Sequence, residues 1–233
     1  MRFFDRALDN GRSIRVRCTD RSDGDFAVTS PSVELEDRRR QVVDRRWMWF
    51  EQVHGGRCVD IDAVLDTDEL HAVAGSQADA AVTTRVDIAL CVQTADCVPI
   101  ALWSEDGVIA AIHAGWRGLE AGVIESGVTT LRSRTTAPVH AFIGPSIGPE
   151  CYEFGSEELD RLSTRFGELV RSQTSDGRPA LDVRAAVHSE LDRLAVVIAV
   201  DDSRCTACDE GLFSYRARTE SGRQTTVIWI EET

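Results

Sequence analysis

Short apolar runs recur through the first half of the chain, and none is long enough to make a helix. Residues 47–50, 59–61, 88–92, 98–103 and 108–112 are each bounded by polar or glycine-containing segments. Their length and their branched residues suit buried strands. Residues 13–18 alternate instead, with Ile14 and Val16 on one face, as a half-buried strand would. Two more strands are expected at residues 195–200 and 226–230, and another at Val139–Ile143.

Helices fill the spaces between. Ser30 reads as a cap and Pro31 as the first helical position of a strongly charged helix through residues 34–46. After Gly118, Ile124, Val128 and Leu131 fall at helical spacing. Ser156 reads as the cap of a helix with Glu157 and Glu158 in its first turn and Leu159, Leu162 and Phe166 inward. Asp182 caps one carrying Val183, Val187, Leu191 and Leu194. Residues 172–178 are polar and are expected to form a flexible loop. No repeat or linker divides the chain, so residues 1–233 read as a single α+β domain.

Composition bounds the function. A net charge of −13 disfavours nonspecific nucleic-acid or anionic-membrane binding. No stretch approaches eighteen apolar residues, and no apolar signal region follows Met1, so a cytoplasmic location is expected. Seven scattered cysteines, an odd number, suit a reduced compartment rather than a disulfide framework.

Three segments put metal-competent side chains at strand ends, where rigid scaffolds present catalytic groups. They are Glu51-Gln52-Val53-His54-Gly55, Thr94-Ala95-Asp96-Cys97-Val98-Pro99 and His113-Ala114-Gly115-Trp116-Arg117-Gly118. Two imidazoles and a thiolate make a good ligand set for zinc, and three protein ligands leave an open fourth position, the mark of a catalytic site. Such a zinc lowers the pKa of a bound water or polarises a substrate oxygen. Residue type alone leaves two alternatives open: Cys97 as a small buried hydrophobe, or Cys97 as a nucleophile activated by His113.

Further motifs follow in order: Ala78-Asp79-Ala80, Ile143-Gly144-Pro145-Ser146-Ile147-Gly148, Tyr152-Glu153, Cys205-Thr206, Phe213-Ser214-Tyr215-Arg216 and Gly222-Arg223. From Cys18 to the C-terminus the chain resembles the YfiH-like, laccase-domain or multicopper polyphenol oxidase family. The resemblance implies a four-layer α/β/β/α fold on mixed sheets, with zinc at His54, Cys97 and His113. It implies phosphorolysis of purine nucleosides (adenosine, inosine, guanosine, methylthioadenosine) with inorganic phosphate, together with adenosine deamination. Some bacterial members are described instead as peptidoglycan-editing factors. This chain departs from the family pattern in a shortened segment after Asp25, and in Asp37-Arg38 where an Asn-Arg pair is usual.

The residues bear on which chemistry is possible. Five histidines (54, 71, 113, 140 and 188) are too few for a blue-copper site plus a copper cluster, so the residues argue against laccase activity. Phosphorolysis needs Arg forks for phosphate, and Arg21 and Arg216 are the candidates for phosphate or ribose, with Arg117 and Arg223 behind them. Deamination needs a proton-shuttling carboxyl group. Asp96 is placed in sequence for that work or for orienting His113. Tyr152 and Glu153 could line the pocket, and Cys91 and Cys151 read as core. The Cys205–Cys208 spacing, lacking a second such pair, is a weak signal, with Cys208 incidental. The leading expectation is a zinc-dependent purine-nucleoside enzyme. The alternatives are a cysteine-dependent hydrolase acting on peptidoglycan precursors, or a protein that binds a nucleotide signal without turnover.

Overall fold

The structure, a computed structural model, describes residues 1–64 and 67–232. In chain order its strands are β1 (Arg2–Ala7), β2 (Arg12–Cys18), β3 (Arg46–Met48), β4 (Cys58–Asp60), β5 (Ala80–Thr83), β6 (Ile88–Thr94), β7 (Val98–Ser104), β8 (Ile109–Ala114), β9 (Val139–Ile143), β10 (Arg171–Gln173), β11 (Pro179–Leu181), β12 (Val197–Asp201) and β13 (Gln224–Glu232). The helices are α1 (Ser32–Val42), α2 (Thr67–Val73), α3 (Trp116–Glu120), α4 (Val123–Arg132), α5 (Ser156–Phe166), α6 (Val183–Arg193) and α7 (Tyr215–Arg218).

Two mixed sheets carry the fold. The first runs β1-β2-β13-β6-β3 and the second β12-β9-β7-β8-β5-β4. The pairs β3–β6, β4–β5 and β9–β12 are parallel; the remaining neighbours are antiparallel. The period of two along each strand explains the layering. On β13, Ile228 and Ile230 pack with Trp103, Ala101 and Phe142 of the second sheet. The alternate residues Val227 and Trp229 pack outward with Ala89, Cys91 and Leu35 of α1. On β7, Ala101 and Trp103 face inward, while Ile100 and Leu102 join Val128 and Leu131 of α4, Leu162 of α5 and Val187 of α6. The result is helix, sheet, sheet, helix: the expected four-layer α/β/β/α arrangement. Strands buried on both faces cannot alternate in polarity, which is why they read as continuous apolar runs.

Several local expectations shift. The first helix starts at Ser32, with Pro31 at the cap position and no side-chain cap, and it ends at Val42 because Arg46 enters β3. Ser156 is the first residue of α5 rather than its cap, which is Gly155. The helix after Gly118 begins earlier, at Trp116, and breaks at Gly122, whose φ of 80° no ordinary helical residue adopts. Residues 172–178 form the end of a hairpin: Ser172 and Gln173 lie in β10, and residues 174–178 make the connecting loop. Strands β10 and β11 pair across a turn through Asp176-Gly177, where Gly177 supplies φ 82°. Asp182 caps α6 as expected, accepting from the Ala185 N–H.

The crossovers between sheets place the site. The connection from β3 to β4 passes from the first sheet to the second, and so does the short one from β6 to β7. The long connection from β12 to β13 returns. His54, Cys97 and residues 202–223 lie on these three crossings.

Trp103 is 2% exposed between the sheets, with Phe4 at 5.0 Å and His140 at 5.6 Å between ring centroids. Trp103→Ala should cost about 3–5 kcal/mol of stability, measured by urea denaturation. A loss below about 1 kcal/mol would contradict this placement of the core.

Candidate active site and metal centre

His113 is the buried anchor of the site, 3% exposed inside β8. Its Nδ1 lies 2.8 Å from Oδ1 of Asp79, itself 1% exposed. The same carboxylate accepts from the backbone N–H groups of His54 (3.0 Å) and Gly55 (2.7 Å). These bonds hold His54 at φ 59°, a left-handed conformation that is uncommon for a residue with a side chain. With Nδ1 engaged, Nε2 of His113 is left to face the site, the usual arrangement when a carboxylate orients a metal-ligating imidazole.

Cys97 sits in the tight turn between β6 and β7, with Sγ 3.6 Å from His54 Nε2. The ligand atoms of His54, Cys97 and His113 all lie within 4.8 Å of one another. A tetrahedral ion about 2.3 Å from sulfur and 2.0–2.1 Å from nitrogen sets those two atoms about 3.6 Å apart. The donor set and its spacing therefore fit a bound zinc-sized cation. Gly115 lets the group close: a Cβ there would lie 2.6 Å from His54 Cδ2 and 2.9 Å from Cys97 Sγ. The burial runs from His113 inside the sheet to exposed His54, so the open side of the triad faces the pocket.

Electrostatics follow from this geometry. Burial pushes the Cys97 thiol up, but the His113 charge and hydrogen bonds from both histidines outweigh it and hold the thiol well below its ordinary value. Burial disfavours charge on His113, yet the Cys97 thiolate and the Asp79 carboxylate together raise it. Asp79 is lowered despite burial, first by its bond to His113 and then by the Gly55 and His54 N–H groups.

The carboxylate that orients His113 is thus Asp79, not Asp96. Asp96 holds a different part of the wall. Its Oδ1 accepts from the hydroxyls of Thr206 and Ser214, both at 2.7 Å, and its Oδ2 accepts from the Arg216 N–H at 2.6 Å. Its φ of 108° is a conformation costing about 1–3 kcal/mol, and these donors keep it there.

A pocket of about 540 Å³ opens above the triad, within the range of small-molecule sites. Arg117, Arg216, Arg223, Trp116 and Tyr152 line it, with Asp96 and Gln52. Along one wall Arg216 lies 4.7 Å over the Tyr152 ring, and Arg117 lies 4.1 Å over Trp116. Tyr152 and Trp116 both pack edge-on to Phe154. Among the described residues, Arg117, Arg216 and Arg223 form no ion pair with a carboxylate.

Arg21 does not line this pocket. Its guanidinium pairs with Glu220 at 2.8 Å, donates to the Glu210 and Leu212 carbonyls and stacks 4.5 Å over Phe213. Neutralised there, it braces the 210–220 segment. Glu153 turns away to Arg178. Asp79 is the residue whose role the sequence did not disclose, although a single carboxylate among Ala78, Ala80, Ala81 and Val82 is the mark of a buried acid with fixed partners.

Two sheets between helical layers, with a His–Cys–His triad formed where two crossovers meet the end of β8, define a class of proteins, and the comparisons identify it. The model of the multi-copper polyphenol oxidoreductase laccase family matches residues 19–231, and the chain belongs to that family. A Streptomyces coelicolor protein named purine nucleoside phosphorylase is 36% identical over 208 residues, covering 88% of this chain and 83% of that one. One of the same name from Corynebacterium glutamicum is 34% identical over 217 residues, covering 89% and 85%. The crystal structure of a Neisseria meningitidis protein superposes with a TM-score of 0.80 at 22% identity, covering 99% of this chain and 100% of that chain. YlmD from Geobacillus stearothermophilus superposes at 0.76 and 24% identity, covering 95% and 92%. Both share the fold.

Thiol reactivity tests the electrostatics. Burial pushes Cys18, Cys58, Cys91 and Cys205 up to about 11. Cys151 is raised by burial, and Cys208 by its contact with Cys151. A lowered pKa means thiolate at neutral pH, and thiolate is the reactive form. In chelator-treated protein at about pH 7, iodoacetamide should label Cys97 first, located by peptide mass spectrometry, and added zinc should protect it. Preferential labelling elsewhere would contradict the assignment.

Proposed function

We propose that this protein is a zinc-dependent purine nucleoside phosphorylase that cleaves the N-glycosidic bond with inorganic phosphate, and that the same centre deaminates adenosine. The observation that carries the reading is the pairing, in one pocket, of the His54–Cys97–His113 triad with three arginines left unpaired by carboxylates. The names of the relatives point to the same substrates.

Phosphorolysis develops positive charge on the sugar while phosphate attacks. Arg216, Arg117 and Arg223 supply guanidinium forks for the phosphate. Tyr152 and Trp116 offer flat apolar faces to a purine. Zinc, when bound, contributes a Lewis acid at the open end of the triad. Asp79 keeps His113 in the ligating tautomer. Asp96 acts as a positioning residue: with both oxygens occupied by donors, it fixes the Ser214–Arg216 backbone and so aims Arg216. Ala27 and Val28, in the segment shortened after Asp25, border the pocket, so preference among adenosine, inosine, guanosine and methylthioadenosine is set partly there.

Zinc is favoured over a copper cluster because one thiolate and two imidazoles hold a single ion, whereas a laccase centre needs many more imidazoles. The cysteine-hydrolase reading on peptidoglycan precursors keeps one specific support. Cys97, His113 and Asp79 stand in the order nucleophile, base and orienting carboxylate. A stable acyl adduct on Cys97, with no zinc at stoichiometric occupancy, would select it.

Zinc-loaded protein incubated with adenosine and phosphate should yield adenine and ribose 1-phosphate, or inosine, read by chromatography. Arg216→Ala should raise the KM for phosphate about 10-fold or more, as expected for losing a charge-assisted bond of about 1.5–3 kcal/mol. Arg21→Ala, which loosens the 210–220 segment without removing a pocket cation, should raise that KM less than Arg216→Ala does. No product from any of the four nucleosides with fully loaded protein would overturn the proposal.

A further inference from the structure

A second cluster of metal-competent side chains lies outside the pocket, where the Gly148–Cys151 turn meets the loop carrying Cys205-Thr206-Ala207-Cys208. Glu150, Cys151, Cys205 and Cys208 each offer one donor atom, and all four atoms lie within 4.8 Å of one another. None of these residues lines the pocket. The sequence placed Cys151 in the core and made Cys208 incidental. The structure instead brings Cys151 Sγ to 3.4 Å from Cys208 Sγ, across 57 residues of chain, with Glu150 Oε1 3.5 Å from Cys208 Sγ.

We propose that Glu150, Cys151, Cys205 and Cys208 form a second, structural zinc site, closed by four protein ligands. Three thiolates and a carboxylate make a tetrahedral set for zinc, in which sulfurs about 2.3 Å from the ion stand about 3.8 Å apart. A covalent disulfide needs about 2.05 Å, so the observed 3.4 Å is far closer to the metal spacing; all three cysteines are free. The surrounding backbone is built to hold such a set. Gly148 N–H donates to Cys205 Sγ at 3.1 Å, the kind of bond that steadies a ligating thiolate. Asp209 N–H closes the Cys205 turn onto the Cys205 carbonyl at 2.9 Å, and Thr206 N–H joins the two loops at the Ser146 carbonyl. The Glu150 carboxylate folds back over Gly148, where any Cβ would collide with both oxygens.

The location gives the site a purpose. Tyr152 of the pocket wall follows Cys151 directly, and Thr206, which donates to Asp96, lies between Cys205 and Cys208. Zinc binding releases the three thiol protons and clips together the two loops that support Tyr152 and Asp96.

Protein purified under reducing conditions with zinc should carry two zinc ions per chain by native mass spectrometry. Cys151→Ser combined with Cys208→Ser should lose one. His54→Ala combined with His113→Ala should keep one, with X-ray absorption showing about three sulfur neighbours around it. The wild type supplies a readout independent of any variant: about two sulfurs per zinc averaged over both sites, against one if only the His–Cys–His site is filled. One zinc per wild-type chain with a single sulfur neighbour would overturn the proposal. So would a chain two hydrogens lighter, with Cys151 and Cys208 joined in a disulfide.

Discussion

The site depends on one buried carboxylate. Asp79 is removed from water, and an ionised acid there is tolerated only when its oxygens are fully partnered. Its partners are His113 Nδ1 and the N–H groups of His54 and Gly55. One side chain thus fixes the ring orientation of one member of the triad and the strained backbone of another. Cys97 completes the set from the β6–β7 crossing. Asp96 repeats the design one residue away: a buried acid bound by Thr206, Ser214 and Arg216 turns three distant segments into one wall.

That arrangement follows from topology. Chain crossings between the stacked sheets are where backbone must leave its ladder, and so where glycines, positive φ angles and polar side chains gather. The same crossings bring the triad under a pocket edged by arginines. Three arginines and a metal-competent triad then share one volume, which is the ground for proposing nucleoside phosphorolysis over the copper oxidation in the family's description.

Much of this was legible in the sequence. Strands buried on both faces announce themselves as short apolar runs, and β6, β7, β8 and β13 lie within a residue or two of those runs. His54, Cys97 and His113 interrupt or end strands, and their residue types marked them as one cluster, which the fold brings within 4.8 Å. What was hidden depends on tertiary contact. Arg21 and Arg216 look alike in sequence, and only the fold shows that Glu220 neutralises the first while the second lies over Tyr152, bonded to the Glu153 carbonyl but to no carboxylate. Residues 172–178 are polar because their hairpin is at the surface; polarity marked its loop at 174–178 and hid the short strands that flank it. β1, with burial on little of its length, carries no apolar run to read. Cys208 gained meaning only when Cys151 arrived beside it from 57 residues away.

The most direct test of the account is the zinc affinity of Asp79→Asn, measured by competition with a chelating dye. Loss of the carboxylate behind His113 should weaken binding about 10–100-fold while circular dichroism shows the sheets intact. A folded variant that binds zinc at the triad as tightly as wild type would contradict the claim that Asp79 builds the site.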